Sequence, residues 1–555
     1  MLTRKFIILF LHIFLLLAAV PTNTYAQTNR LSTIVDMVHN NPGEKPYQTK
    51  FNDPAVLKTL GYDSKTFFIF LSPQLAINWD AVDPDILPMG SEDRKWVDAK
   101  AAEIHKLYRQ MKKQGMKVYC MSDLILFPKR LIAKYGMEQT FDDPQNPQTE
   151  KYLRILIDEM FRQFPELDGI FVRIGETYLH DAPFHKGGIK NQKNPDKTII
   201  PLMSILRDEI CVKLNKKLFF RTWLSIDTSV DDYLKVSNAI EPHENLTIAV
   251  KHCEGDFHRG NPFSKVLGIG MHKQIVEVQC AREYEGKGAY PNYIAHGVID
   301  GFEEHSWLRK ENKIASIGEL REKSTLMTGL WTWSRGGGWE GPYIQNEFWP
   351  ELNVYVLSQW AQNTKESEAI IFNRYAREKL SLSEKDVQKF RRLALLSEKA
   401  ILLGRRSQKY PTAVNTWWTR DQYISFPSIP SGKDSVLNIL AEKDESVKLW
   451  KEMVGLSGEI QFKDKQTASF VKVSTLYGLQ LYEIYRSLFY LTAIQKGIIP
   501  MKEKAYWMEI YEKAWKNYTN LAQENPDCPT LYDRDVVRRQ QGQFSQPAEL
   551  VVRKL

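Results

Sequence analysis

The stretch Gly-Ile-Phe-Val-Arg-Ile-Gly-Glu, residues 169–176, has the composition of a short buried β-strand that ends in a glycine turn and a carboxylate. Two further stretches repeat this arrangement: Val-Lys-His-Cys-Glu-Gly-Asp-Phe at residues 250–257 and Glu-Val-Gln-Cys-Ala-Arg-Glu-Tyr at residues 277–284. Basic and aromatic residues accompany the carboxylate in each stretch. Strands that end in such side chains are typical of a barrel whose active site lies at the carboxyl ends of its strands.

Strands and helices alternate on both sides of these stretches, from residue 65 to about residue 350. Helical patterns such as Glu92–Gln114 and Pro147–Gln163 separate short runs of β-branched and aromatic residues. The alternation predicts an α/β fold of the (β/α)8 TIM barrel type. A doubly wound open sheet is the alternative, although no Gly-x-Gly-x-x-Gly follows the first predicted strand. The predicted strands are Thr66–Leu71, Lys117–Asp123, Gly169–Gly175, Lys217–Leu224, Leu246–Cys253, Ile275–Cys280, Asn292–Val298 and Leu326–Ser334.

Long helical patterns replace this alternation in the remainder of the chain. We therefore predict a short N-terminal segment at residues 27–64, a catalytic barrel at 65–350 and a mainly helical C-terminal domain at 351–555. The predicted C-terminal helices are Leu352–Gln362, Glu384–Arg406, Ser435–Leu456, Ala468–Lys496 and Met501–Glu524.

The first 26 residues have the pattern of a secretory signal peptide. Arg4 and Lys5 precede an apolar run at residues 6–20, and Thr24-Tyr25-Ala26 supplies the small residues of a cleavage site. The apolar run is short for a membrane span, which makes an uncleaved anchor the weaker interpretation. We expect a protein that is secreted or periplasmic, with no membrane-spanning segment.

Composition narrows the class of ligand. The formal charge of +8 is distributed along the chain, without the lysine and arginine blocks typical of nucleic-acid binding. The five cysteines are scattered and form no Cys-x-x-Cys or Cys/His spacing, so the sequence predicts no metal site, and no cofactor is indicated. The oligomeric state stays open.

The three carboxylates are the candidate catalytic groups. Glycoside hydrolysis requires one protonated and one ionised carboxyl group that face each other across a sugar. The cations beside the carboxylates, such as Arg173 and Lys251, point to an acidic sugar. Arg221 also suits a carboxylate, since a guanidinium can bond both of its oxygens, and the ammonium of Lys251 adds a point charge.

The segments around Glu176, Asp256 and Glu283 resemble the family 67 glycoside hydrolases. These are α-glucuronidases, which remove glucuronic or 4-O-methylglucuronic acid from xylan fragments. The resemblance extends discontinuously from about Phe171 to Trp360. It also includes, in the family's order, Arg-Thr-Trp at residues 221–223, Trp-Glu-Gly at 339–341 and Asn-Val-Tyr at 353–355.

The resemblance implies an inverting mechanism in which Glu176 is the general acid. Asp256 and Glu283 would activate the attacking water, and which of them is the base stays open. The substrate would be an oligosaccharide or a plant or algal polysaccharide fragment that carries a uronic acid. Three basic side chains lie at or near the positions where the family binds the uronate carboxylate: Arg173, Arg221 and Lys251.

Trp339 follows a glycine-rich turn and is a candidate sugar platform. The turn, Ser-Arg-Gly-Gly-Gly-Trp at residues 334–339, lacks the lysine and hydroxyl residue of a nucleotide-binding loop. The family has a sizeable α/β domain before its barrel, whereas here only residues 27–64 precede the first predicted strand. The chain therefore resembles a divergent member. A hydrolase of another sugar and a non-catalytic glycan-binding protein are the alternatives.

Overall fold

The computed structural model describes residues 29–39, 48–174, 178–190, 194–223, 225–336, 344–407, 424, 426–525, 528, 534 and 548–555. At its centre, eight parallel strands pair into a closed barrel, which confirms the predicted (β/α)8 fold. A small antiparallel ribbon lies outside the barrel and consists of β4 (Leu126–Pro128) and β6 (His185–Gly187). In their order around the barrel, the eight strands are β1 (Thr33–His39), β2 (Ser64–Phe67), β3 (Lys117–Ser122), β5 (Gly169–Val172), β7 (Lys217–Arg221), β8 (Leu246–Lys251), β9 (Lys273–Gln279) and β10 (Met327–Gly336).

Two strand positions differ from the prediction. The predicted strand Asn292–Val298 is wrong, because this segment enters the helix Ala295–Asp300. The eighth strand is instead β1, which lies within residues 27–64, so the barrel begins before residue 65. Its central residue, Asp36, is a buried charge that contacts Lys65 Nζ of β2 at 3.0 Å. Only the folded barrel brings Lys65 to Asp36, so the local sequence around Asp36 does not predict this ion pair.

The side chains of the barrel strands alternate between the barrel interior and the layer beneath the helices. Apolar residues fill the interior, among them Val35, Phe171, Phe219, Ala249 and Trp331. The intervening residues, such as Ile34, Ile170 and Phe220, belong to the larger core around the barrel. Three cations lie two residues after the interior residues Phe171, Phe219 and Ala249. Because side chains two residues apart on a strand share a face, these cations point into the barrel mouth: Arg173, Arg221 and Lys251.

Helices surround the barrel and then continue as the C-terminal domain. Those between the strands are α1 (Pro54–Leu60), α2 (Glu92–Lys113), α3 (Lys129–Lys134), α4 (Pro147–Gln163), α5 (Ile200–Leu206), α6 (Val230–Ser237), α7 (Ala295–Asp300), α8 (Trp307–Lys310) and α9 (Ile317–Lys323). Those after β10 are α10 (Phe348–Gln362), α11 (Glu368–Arg374), α12 (Glu384–Arg405), α13 (Lys433–Glu459), α14 (Lys465–Gln495), α15 (Lys504–Glu524) and α16 (Ala548–Val552).

The C-terminal helices pack against the loops that follow the barrel strands. Trp349 of α10 donates its indole N–H to Ser474 of α14 at 3.1 Å. Tyr290, which follows β9, packs edge to face on Trp450 of α13 with ring centroids 5.6 Å apart. The helical domain therefore lies beside the carboxyl ends of the strands. Among the residues that the structure describes, none of the helices has both the length and the apolar composition needed to cross a membrane.

Candidate active site

Arg221 and Glu277 form a buried ion pair inside the barrel. The Nε and Nη2 atoms of Arg221 each donate to one oxygen of Glu277, both at 2.7 Å. Arg221 ends β7 and is in register with Ala249 of β8, and this small residue leaves room for the guanidinium to reach β9. Glu277 already accepts two of the five guanidinium N–H groups, so Arg221 has fewer donors for a substrate carboxylate than the sequence suggests.

Lys251 lies at the mouth of the barrel between two aromatic rings. Its ammonium is 3.6 Å from the ring centroid of Trp223 and 4.2 Å from that of Phe257. The same ammonium is 3.6 Å from the Oδ1 atom of Asp256. The Lys251 side chain is buried, whereas that of Asp256 is 26% exposed. Cation–π contacts and a partly exposed carboxylate therefore hold a positive charge at the barrel mouth.

Arg173 is the third cation of the mouth and is also buried. Its guanidinium lies over the ring of Tyr178, 3.7 Å from the centroid. Its backbone N–H donates to the carbonyl of Ser122 at the end of β3, which extends the strand pairing by one residue. The backbone of Tyr178 is itself fixed, because its N–H donates to Asp123 at 2.8 Å. Arg173 is thus positioned by the ends of two neighbouring strands.

Asp256 and Glu283 follow the adjacent strands β8 and β9. Gly255 adopts φ +61°, a left-handed conformation that turns the chain sharply before Asp256. Glu283 is half-buried, and its backbone N–H donates to the side chain of Gln279 at 3.3 Å. Both carboxylates therefore lie in the loops that follow these strands, at residues 252–272 and 280–294.

Glu285 connects these two loops. One of its oxygens accepts the backbone N–H of Arg259 at 2.6 Å, and the other accepts Arg282 Nη1 at 3.1 Å. Burial opposes ionisation of Glu285, but the charge of Arg282 and the hydrogen bonds outweigh it and lower the pKa of this carboxyl. An ionised Glu285 therefore holds the segment after Asp256 against the segment after Glu283. No local sequence pattern points to Glu285.

Arg282 also contacts His252 and thereby fixes the protonation state of that imidazole. Burial, and then the charge of Arg282, lower the pKa of His252 well below its ordinary value. The ring is therefore neutral, and its Nε2 accepts from Arg282 Nη2 at 3.0 Å. Its Nδ1 carries the proton and lies 3.3 Å from the carbonyl of Glu277. Arg282 is thus paired with Glu285 and His252, and the sequence offered no sign that its partners lie there.

His39 and Trp333 form an aromatic wall that the sequence analysis did not identify. His39 ends β1, and its ring stacks on Trp333 of β10 at 4.7 Å and meets Phe68 at 4.0 Å. Phe257 in turn packs edge to face on Trp333 at 5.7 Å. Rings at a barrel mouth can stack on sugar faces. Recognition of β1 as a barrel strand would have placed His39 at a strand end, but the predicted barrel omitted this strand.

Two candidate residues, Glu176 and Trp339, lie outside the described residues. Within the described part of the chain, one group of side chains has the spacing of metal ligands: His296, Asp300 and Glu368. Glu368 already pairs with Arg391 through both oxygens and accepts the hydroxyl of Tyr293. A cation there would compete with this guanidinium, so we assign it no metal.

No protein-family model matches the chain, and no curated protein matches it. Among solved structures, it is similar to a GH138 enzyme described as targeting pectin rhamnogalacturonan II, with a TM-score of 0.54 and 13% identity. The match covers 94% of this chain and 66% of that enzyme, so the chain spans about two thirds of its length. A match to CpGH84B has a TM-score of 0.42 at 10% identity and covers 88% of this chain and 74% of that one. The GH138 likeness shows a shared barrel fold.

Proposed function

We propose that this protein is a glycoside hydrolase that releases a uronic acid from a polysaccharide fragment by an inverting, α-glucuronidase-like mechanism. The observation that carries the proposal is the barrel mouth itself. Asp256 and Glu283 lie in the loops after two adjacent strands, while buried cations and aromatic rings surround the same end of the barrel. The GH138 enzyme that shares the fold is described as targeting a pectic polysaccharide, which is consistent with a glycan substrate.

In this mechanism Asp256 and Glu283 orient and deprotonate a water on one face of the sugar. Glu176 would protonate the leaving oxygen on the opposite face, at the 6.5–9.5 Å separation typical of inverting enzymes. Glu277 is a poor acid catalyst, because Arg221 bonds both of its oxygens in the closed interior. The clamp through Glu285 holds the two water-side loops together, and such preorganisation lowers the cost of reaching the transition state.

Incubation with a panel of uronate-decorated oligosaccharides tests the proposal. We expect release of free uronic acid, identified by chromatography and mass spectrometry. Proton NMR of the fresh product from an α-linked substrate should show the β-anomer first, because a single displacement by water inverts the anomeric centre. An initial α-anomer would contradict inversion. Release of a neutral sugar alone would assign the barrel to another substrate, and binding without release would indicate a glycan-binding protein.

Lys251 is expected to recognise the uronate carboxylate. Its ammonium is buried but faces a half-exposed carboxylate, so a substrate carboxylate can reach it from the same opening. Lys251→Met should raise the transition-state free energy by about 2–4 kcal/mol, the scale for a charged partner lost in a desolvated site. The measurement is kcat/KM on the uronate substrate and on the same substrate with its carboxyl reduced to an alcohol.

Lys265 provides the matched control for this prediction. It is 3.5 Å from Glu254 on the same loop, but both side chains are about a third exposed. Lys265→Met should leave both kcat/KM values nearly unchanged. Lys251→Met should impair hydrolysis of the uronate substrate and spare the reduced one. Equal losses on the two substrates would show that Lys251 only supports Asp256 and the aromatic rings.

The proposed export rests on residues 1–26, which lie outside the described residues.

A further inference from the structure

A small cavity lies between the barrel loops and the C-terminal end of α12. Its volume is about 20 Å³, and its walls include His258 and Gly260 from the loop after β8, Glu285 from the loop after β9, and Arg405 and Arg406. A single water requires about 10–15 Å³ of such space, so one small ligand fits. Glu285 is also the clamp between the two water-side loops, whereas the other residues named here have no part in the proposed catalytic machinery.

Most charges around this cavity are already neutralised. Arg259, in the cavity wall, donates to Glu304 at 2.6 Å and to Glu398 at 3.0 Å. The carboxylate of Glu285 is held by the backbone of Arg259 and by Arg282 and Asn292. These carboxylates therefore have strong local partners and do not need to be balanced by a further cation.

Arg406 differs from Arg259, which has two carboxylate partners. The guanidinium of Arg406 makes no hydrogen bond or ion pair with any residue in the described part of the chain, although it lines the cavity. Burial, which outweighs the attraction of Glu285, lowers the pKa of Arg406. The Arg406 side chain is half-buried, and partial removal of a charged guanidinium from water is costly unless an opposite charge accompanies it. The surroundings of Arg406 therefore favour an additional anion.

Both the backbone and the side chain of Arg406 are fixed by their neighbours. Its backbone N–H donates to Leu402 at 3.0 Å, and its carbonyl accepts Lys443 Nζ at 2.6 Å. The side chain lies directly over Gly260, where a Cβ atom would collide with the guanidinium. Arg406 is thus held at the loop that carries Asp256, four residues before Gly260.

We propose that this cavity is a binding site for a small monovalent anion of the size of chloride, held by Arg406 between α12 and the loops after β8 and β9. His258 is the neighbouring ring of the site, and burial followed by the charges of Arg406 and Arg405 lowers its pKa well below the ordinary value. A neutral His258 leaves the guanidinium to balance the bound anion. The anion then fastens the helical domain to both water-side loops. This inference does not depend on the proposed hydrolase activity.

Thermal unfolding in different salts tests the site. At constant ionic strength, exchange of gluconate for chloride or bromide should raise the unfolding midpoint of the full chain by on the order of 2 °C, because the halide binds only the folded state. Gluconate is a much larger anion than chloride, so it does not fit within the 20 Å³ beside Arg406 as a whole. In crystals soaked in bromide, an anomalous peak should lie beside the Arg406 guanidinium. Absence of both the midpoint shift and the peak would overturn the proposal.

Variants on α12 and its end make the test specific. Arg406→Gln should fold and lose the halide dependence, while Arg392→Gln on the helix should retain it, since Arg392 is 64% exposed and pairs with Glu452. Halide dependence that persists unchanged in Arg406→Gln would contradict the site. If Arg406→Gln does not fold, the bromide peak in the unmodified protein decides. A larger midpoint shift in acetate than in chloride would also overturn it, because it would assign the pocket to a carboxylate.

Discussion

Asp256→Ala and Glu283→Ala are each expected to reduce kcat by a factor of about 10² to 10⁴, the range typical of removing a general acid or base. Both carboxylates stand in the loops that Glu285 holds together, so each contributes to one arrangement around the attacking water. The double variant should therefore lose little more than either single variant, because residues that act as a unit fail together. Substrate affinity should change little, since the water gains most of its interaction in the transition state.

Steady-state kcat and KM on a uronate oligosaccharide measure this effect, with circular dichroism to verify folding. Glu254→Gln is the matched control, because Glu254 lies two residues before Asp256 and pairs with Lys265 at the surface. Glu283→Ala leaves the known partners of Arg282 in place, namely Glu285 and His252. Near-normal turnover in Glu283→Ala beside an inactive Asp256→Ala would make Asp256 the sole base.

Arg221→Met is expected to destabilise the fold by about 3–5 kcal/mol, because it leaves the buried carboxylate of Glu277 without its partner. The double variant Arg221→Met with Glu277→Leu should recover most of this loss, since it removes both charges. Urea denaturation measures the change in the free energy of unfolding. Arg377→Met removes a surface pair with Glu384 and should cost less than about 1 kcal/mol.

The same double variant separates a structural role of Arg221 from a role in substrate binding. If the remaining N–H groups of Arg221 bind the uronate, the restored double variant should still have a reduced kcat/KM on the uronate substrate. Its kcat/KM on the carboxyl-reduced substrate should be close to that of the unmodified protein. If kcat/KM of the double variant differs from that of the unmodified protein by the same factor on both substrates, Arg221 serves the barrel interior. Uronate recognition then belongs to Lys251 and Arg173.

Local sequence pattern was sufficient for much of the fold, because most strands and helices bury residues in a regular period. The helix α4 begins and ends at the predicted residues, Pro147 and Gln163. Pattern failed where neighbours in space decide the structure. The local pattern misses strand β1 because this strand carries the charged residue Asp36 at its centre. The pattern predicts a strand at residues 292–298 because a short apolar run occurs both in strands and in buried helices.

The candidate site shows the same division. Strand alternation directs the side chains of Arg221 and Lys251 toward the barrel mouth, but the local sequence does not show that Glu277 accepts two N–H groups of Arg221. That pair crosses β8 between two strands that are not neighbours, and it depends on the small side chain of Ala249. The sequence therefore does not reveal the partner of Arg221, because only the closed barrel brings Glu277 within its reach.

Closure of the barrel by β1 also has a consequence for folding of the chain during its synthesis. Ser32, just before this strand, hydrogen bonds to Thr328, 296 residues later in the chain. At a translation rate of about 5–20 residues per second, roughly 15–60 s separate the synthesis of these two partners. Throughout that interval one side of β1 lacks its final neighbour, and contacts so distant in sequence form slowly. The nascent chain thus carries an open strand edge for most of its synthesis, which is when chaperone protection would matter most.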